Sequence, residues 1–378
     1  MQAIEKIDFF PLSVVTGPAF CNRVKEIDTL KSCINLKRPV LLVSPRRYGK
    51  TSLVLNVIEK LDLPYANLDL FSVIDEKDIE TVILNGISQL IFKIERIPKK
   101  ALVLAKQIFK NTEFHIAVSD IDLAINFKSK IDKPAYRILD ILDRLERLAN
   151  HVKKPIVLFF DEFQSIDEAT PNYAIESVLR QVAQLTKKIA FVFSGSNRHL
   201  LNQLFNDRNR PFYKLCERMS LDRISEAAYE KHIQIAAQQR WQQTLSARVL
   251  ENIFFFTARH PYYMNLLCSR LWREKFPTEN IVQQIWRQYN LEERSSVAAE
   301  IQLLSRNQRK LLAVLSRTGG ANAPLGQHFI QQANMSKTTI KQAITFLEKR
   351  DYVYYDEQSK LKVLDPLIQS VLSDFLAI

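Results

Sequence analysis

Pro39–Leu53 reads PVLLVSPRRYGKTSL, and its interpretation organises the rest of the chain. Val40–Val43 are four consecutive apolar residues, the pattern of a short strand buried on both faces. Ser44–Gly49 form a polar loop. Lys50–Thr51–Ser52 then open a run in which Leu53, Val54, Val57, Ile58 and Leu61 recur at helical intervals. A strand that turns tightly into a helix suits a polyphosphate, because backbone N–H groups and the positive end of the helix dipole face the anion. In that setting Gly49 permits close approach, Lys50 reaches the outer phosphates and the Thr51 hydroxyl ligates Mg2+. The pattern G-x-x-x-x-G-K-[ST] is met except at its first position, where Ser44 stands.

Two further stretches support this reading. Pro155–Gln164 (PIVLFFDEFQ) carries five apolar residues into Asp161 and Glu162. Asp161 would orient the Mg2+ shell, and Glu162 would polarise an attacking water. Ile189–Asn197 (IAFVFSGSN) is apolar and then switches to small polar residues, placing Ser194 or Asn197 to sense the γ-phosphate. Each stretch alone is equally a core strand followed by a turn. Three in this order, each ending in matching chemistry, point to ATP binding.

The chain of 378 residues implies two or three domains, and its 47% hydrophobic content suffices for sizeable cores. Cys21, Cys33, Cys216 and Cys268 lack metal-ligand spacing and read as free thiols of a reducing, cytoplasmic compartment. The N-terminal stretch carries acids and no long apolar run, so neither a signal peptide nor a membrane span is expected. A formal charge of +12 favours a polyanionic partner.

The expected architecture is an α/β P-loop core with a parallel sheet, followed by a helical lid and a winged helix. The core spans 1–222 and the lid 223–300, with the winged helix over 301–378. Within the core, about 98–132 reads as an insert with Lys99, Lys100, Lys106 and Lys110 and a β-hairpin over Phe114–Phe127. Val15 to Phe20 are candidates to wall an adenine. Arg208 and Arg210 lie in a basic loop after the third strand, where a guanidinium, Arg210 above all, could stabilise charge on a transferring phosphoryl group, in cis or across a subunit contact. His260-Pro261 opens a helix in the lid and could approach the base or phosphates.

The last block has the order helix, helix, turn, helix, hairpin. Ser336 is a plausible N-cap for Lys337–Lys349, whose Ile340, Ala343, Ile344 and Leu347 form a buried face. Lys337, Thr338, Thr339, Lys341, Gln342 and Thr345 are left outward. Between 301 and 350 eight Lys/Arg stand against Glu348 as the single acid, so duplex DNA is an expected partner through 301–365.

Together these residues resemble the archaeal-type ATPases of the STAND/AAA+ branch. The likeness rests on Pro45–Ser52, Val157–Glu162, Ser194–Ser196 and His260–Tyr263, with Phe20–Glu26 similar to the family's N-terminal nucleotide box. It implies ATP or ADP bound between core and lid. The contacts would come from Phe20, Arg23, Pro45, Arg46, Arg47, Tyr48, Gly49, Lys50, Thr51, Ser52, Ser194, His260 and Pro261. Metal would fall to Thr51 and Asp161, and catalysis to Glu162, Lys50, Asn197 and Arg210. Ser44 replaces the first loop glycine, and Arg259 stands where the lid usually has glycine. The functional expectation is a Mg-dependent ATPase whose nucleotide state controls the lid and winged helix on nucleic acid. The alternative is a nucleotide-gated switch that recruits a protein partner or a second copy, with slow or no turnover.

Overall fold

The computed structural model describes residues 8–93, 112–116, 123–127, 133–151, 155–170 and 172–374. The chain divides into two compact units, one of Arg23–Asp222 and one joining the described residues up to Asn22 with those from Arg223 onward.

The first unit is built on five parallel strands: β1 (Val40–Val43), β2 (Tyr65–Asp69), β5 (Ile156–Asp161), β6 (Ile189–Gly195) and β7 (Glu217–Ser220). Their order is β2-β5-β6-β1-β7, so β6 separates the strand of the phosphate loop from the strand of the paired acids. All four residues of β1 are buried, as a sheet covered on both faces requires. Leu41 and Val43 join the core beneath helices α3 (Glu76–Lys93), α4 (Pro134–Ala149) and α6 (Ala174–Leu185), the short α5 being Ile166–Ala169. On α6, Ile175, Val178, Leu179 and Val182 face inward as their spacing predicts. Helix α1 (Val24–Leu36) packs on β6 and on α2 (Lys50–Leu61). Arg137 pairs with Glu80, its Nη2 donating to Oε2 at 2.7 Å, which links α4 to α3.

The hairpin expected within the insert consists of β3 (Thr112–Ile116) and β4 (Leu123–Phe127), antiparallel with Phe114 opposite Ile125. Its turn, and the lysines at 99, 100, 106 and 110, lie outside the described residues.

In the second unit, helices α8 (Glu226–Trp241), α9 (Ala247–Thr257), α10 (Pro261–Leu271) and α11 (Glu279–Gln302) lead into a winged helix. That domain comprises α12 (Arg306–Thr318), α13 (Gln327–Ala333), α14 (Lys337–Lys349), the wing β8 (Val353–Tyr355) with β9 (Leu361–Val363), and α15 (Pro366–Asp374). The boundary expected at 300/301 falls inside the 24-residue α11, and one apolar core runs through helical and winged-helix parts alike. Ser370 receives hydrogen bonds from Trp286 Nε1 (3.0 Å) and Asn290 Nδ2 (2.6 Å), tying α15 to α11. Sequence order places the N-terminal segment with the core, yet Phe9 and Phe10 are buried against His232, and Phe10 lies 4.5 Å from Trp272. Aromatic anchoring of that kind outweighs chain adjacency. No helix among the described residues is long and apolar enough to cross a membrane.

Candidate functional site

The site of the first unit lies at the C-terminal ends of β1, β6 and β5. Gly49 caps α2 at φ +87°, and an added Cβ would meet nothing within 4 Å, so conformation alone demands glycine there. Arg47 also adopts a positive φ, +64°, a strained geometry that recurs at functional loops. Ser44, in contrast, is absent from the positive-φ residues, so its place in the first glycine position carries no backbone penalty. Like α1, α4, α6, α10 and α13, α2 starts without a side-chain cap. Its first turn therefore presents backbone N–H groups in the manner that binds anions.

Lys50 is 6% exposed, with Nζ donating to the carbonyls of Ser44 (3.1 Å) and Pro45 (3.2 Å). Thr51 Oγ1 donates to Asp161 Oδ2 at 2.6 Å, and Ser194 Oγ donates to Asp161 Oδ1. One carboxylate thus joins the ends of β5 and β6 to the start of α2. A Mg2+ ion fits here, since it binds through few protein oxygens and takes the remainder from phosphate and water. No cluster of three or more His, Cys, Asp or Glu side chains exists among the described residues, so the donors would be Thr51 and Asp161.

Glu162 sits in the left-handed region at φ +49°. Its Oε2 accepts from Gln164 Nε2 (2.5 Å), Ser196 Oγ (2.7 Å) and Ser196 N (3.2 Å). Burial pulls its pKa upward, but those hydrogen bonds and the charge of Lys50 outweigh it and leave the carboxyl below its usual range. Beneath it, Phe163 is fully buried and packs 4.6 Å from Phe193 and 5.2 Å from Phe212, which pins the strand tip. Gln164 and Ser196 were not singled out by sequence reasoning. The available signal was a second hydrogen-bonding side chain two residues after Glu162.

Several expected site residues have other occupations. Asn197 Oδ1 caps α7 (Arg198–Asn206) by accepting from Leu200 N at 3.1 Å. Arg23 is buried and reaches the Tyr48 carbonyl (3.3 Å) and Glu26 (3.1 Å), tying the loop before α2 to the start of α1. Pro45, Tyr48 and Ser52 are buried, while Arg46 and Arg47 are exposed, with Arg46 lying over Phe71 at 5.9 Å. Phe20, His260 and Pro261 belong to the second unit. Phe20 is half-buried there; His260 is buried 5.0 Å from Tyr263, and Pro261 occupies the first position of α10. Arg259 has φ +59°, which explains why glycine suits that position.

Arg210 requires a correction. Its guanidinium is paired with Asp167 (2.7 Å) and the fully buried Glu176 (2.6 Å), and stacks 4.2 Å from Tyr173. Those contacts make it a structural clasp, not a free finger within its own chain. Burial dominates at Glu176 and pushes its carboxyl up to about 7 despite Arg210. Arg210→Ala is expected to cost about 3–5 kcal/mol by stranding that acid. The loss should be smallest at low pH, where Glu176 is neutral, and grow as pH rises through the folded-state pKa. Urea denaturation across a pH series checks both points.

Strand order, phosphate loop and paired acids define the fold of an AAA+-type P-loop ATPase core, with a winged helix at the C-terminal end. A family model described as a probable winged helix domain matches residues 298–374. The Walker-type ATPase PABY2304 of Pyrococcus abyssi shares 14% identity, with a TM-score of 0.68 over 96% of this chain and 99% of that one. The Aeropyrum pernix ORC2 protein shares 14% identity, with a TM-score of 0.57 over 99% of each chain. Among curated proteins none matches.

Proposed function

We propose that this protein is a Mg-dependent ATPase whose nucleotide state controls its helical and winged-helix parts, and that the winged helix binds duplex DNA. The observation that carries the ATPase reading is the chain of hydrogen bonds from Thr51 through Asp161 to Ser194, with Lys50 and Glu162 beside it. The Aeropyrum pernix relative was solved in ADPNP and ADP complexes, which supports a nucleotide as ligand.

In this reading the first turn of α2 and Lys50 hold the β- and γ-phosphates. Thr51 and Asp161 would hold Mg2+, which when bound neutralises phosphate charge. Glu162 orients water for in-line attack on the γ-phosphorus and receives its proton as ADP leaves. Nucleotide binding and phosphate release, measured on wild type and on the Lys50 and Glu162 variants, test the assignment.

The DNA reading rests on the exposed side of α14. Lys337, Thr338, Lys341, Gln342 and Thr345 are solvent-facing, while Ile340, Ala343, Ile344 and Leu347 are buried. Arg306, Arg309, Lys337, Lys341 and Lys349 have no ion pair among the described residues, so their charge is available to phosphates. Removing Lys337 and Lys341 together is expected to lower the slope of log affinity against log salt by about 2. Fluorescence anisotropy with labelled duplex across a salt series gives that slope. A wild type that shows no salt-dependent duplex binding would instead favour the partner-recruiting switch.

A further inference from the structure

We propose that Gln164, acting with Ser196, is a positioning residue that holds Glu162 by one carboxylate oxygen and leaves the other for the attacking water. The inference rests on the ATPase reading above and adds to it the residue that sets the base.

Glu162 Oε2 receives three donors from two different strand ends: Gln164 Nε2 at 2.5 Å, Ser196 Oγ at 2.7 Å and Ser196 N at 3.2 Å. No hydrogen bond at Oε1 is present among the described residues. The left-handed backbone at Glu162 leads into a tight turn over Phe163–Ser165, which brings Gln164 back onto the preceding carboxylate. Gln164 is only 8% exposed, and its Oε1 is buried without a partner. A buried amide with half its capacity unused is costly unless its other half is needed.

Gly195 supplies an independent observation. It lies within β6, outside the positive-φ glycines, so backbone conformation does not require glycine there. Space does: a Cβ at 195 would fall 2.0 Å from Gln164 Oε1 and 3.0 Å from Leu201 Cδ1. Since the nearest atom ends a flexible side chain, Gly195→Ala should evict Gln164 from its seat at modest cost to the fold.

Two variants that reach Gln164 by different routes test the idea. Gln164→Ala and Gly195→Ala are both expected to keep ATP affinity within about threefold and to lower kcat by about 10- to 100-fold. In both, the loss should fall on kcat while KM stays within about threefold, whereas a general loss of packing would raise KM and lower the thermal midpoint as well. Wild-type kcat in Gln164→Ala, or a rise in KM as large as the fall in kcat, would overturn the proposal even if Gly195→Ala fails to fold. If wild type shows no hydrolysis, or Glu162→Gln turns over normally, the fault lies with the ATPase reading and the positioning role falls with it.

Discussion

Glu162→Gln is expected to bind ATP as wild type does and to hydrolyse it about 10²- to 10⁴-fold more slowly. The substitution keeps the length and the donor contacts around the side chain while removing the negative charge that draws a proton from water. Ser196 and Gln164 both donate to Oε2, so a Gln side chain can still seat its own carbonyl oxygen there. Binding should be untouched because, in the proposed reading, phosphate is held by Lys50 and the start of α2 and not by Glu162. Equilibrium binding of a fluorescent ATP analogue and single-turnover phosphate release separate the two steps. Normal turnover in this variant would remove the role assigned to Glu162.

The second large effect concerns Lys50. Lys50→Ala is expected to weaken ATP binding by about 10²- to 10⁴-fold, from the loss of the two charge-assisted hydrogen bonds, roughly 1.5–3 kcal/mol each, that the ammonium would make to the β- and γ-phosphates in the proposed reading. Lys50 is 6% exposed and its ammonium rests on the Ser44 and Pro45 carbonyls at the end of β1, so neighbouring water replaces it poorly. Calorimetric titration with ATP measures the loss directly. A circular dichroism spectrum matching wild type would confirm that the fold survives. Retained micromolar affinity would contradict the phosphate-loop assignment.

Both predictions concern residues whose proposed roles were legible before any coordinates. Local chemistry carries that information. Four apolar residues bounded by a polar loop make a strand, and Gly49 before Lys50 marks the helix start. Ser336 before Lys337–Lys349 likewise marks a cap, and its side chain accepts from Thr339 N at 3.1 Å. Such signals span a few residues and survive whatever the rest of the chain does.

Other features depend on contacts far apart in sequence. The strand order that sets β6 between β1 and β5 places Ser194 on the carboxylate of Asp161, and no local pattern specifies which strands become neighbours. Arg210 in a basic loop looks free in sequence. Only the fold reveals the buried Glu176 on another helix that claims it. Gln164 reads as an ordinary turn residue until Gly195 and Ser196 are brought to it from a separate strand.

The amino-acid sequence by itself determined the strand, loop and helix of the proposed phosphate site, the paired acids and the helix–turn–helix–wing order of the C-terminal block. Periodicity and caps act within single elements. The tertiary structure alone decided that residues 8–22 pack with the helices beyond 223, that α11 runs through the expected 300/301 boundary, and which side chains hold Glu162. Those outcomes depend on which buried surfaces meet, and such pairings are settled by packing and hydrogen-bond satisfaction across long separations.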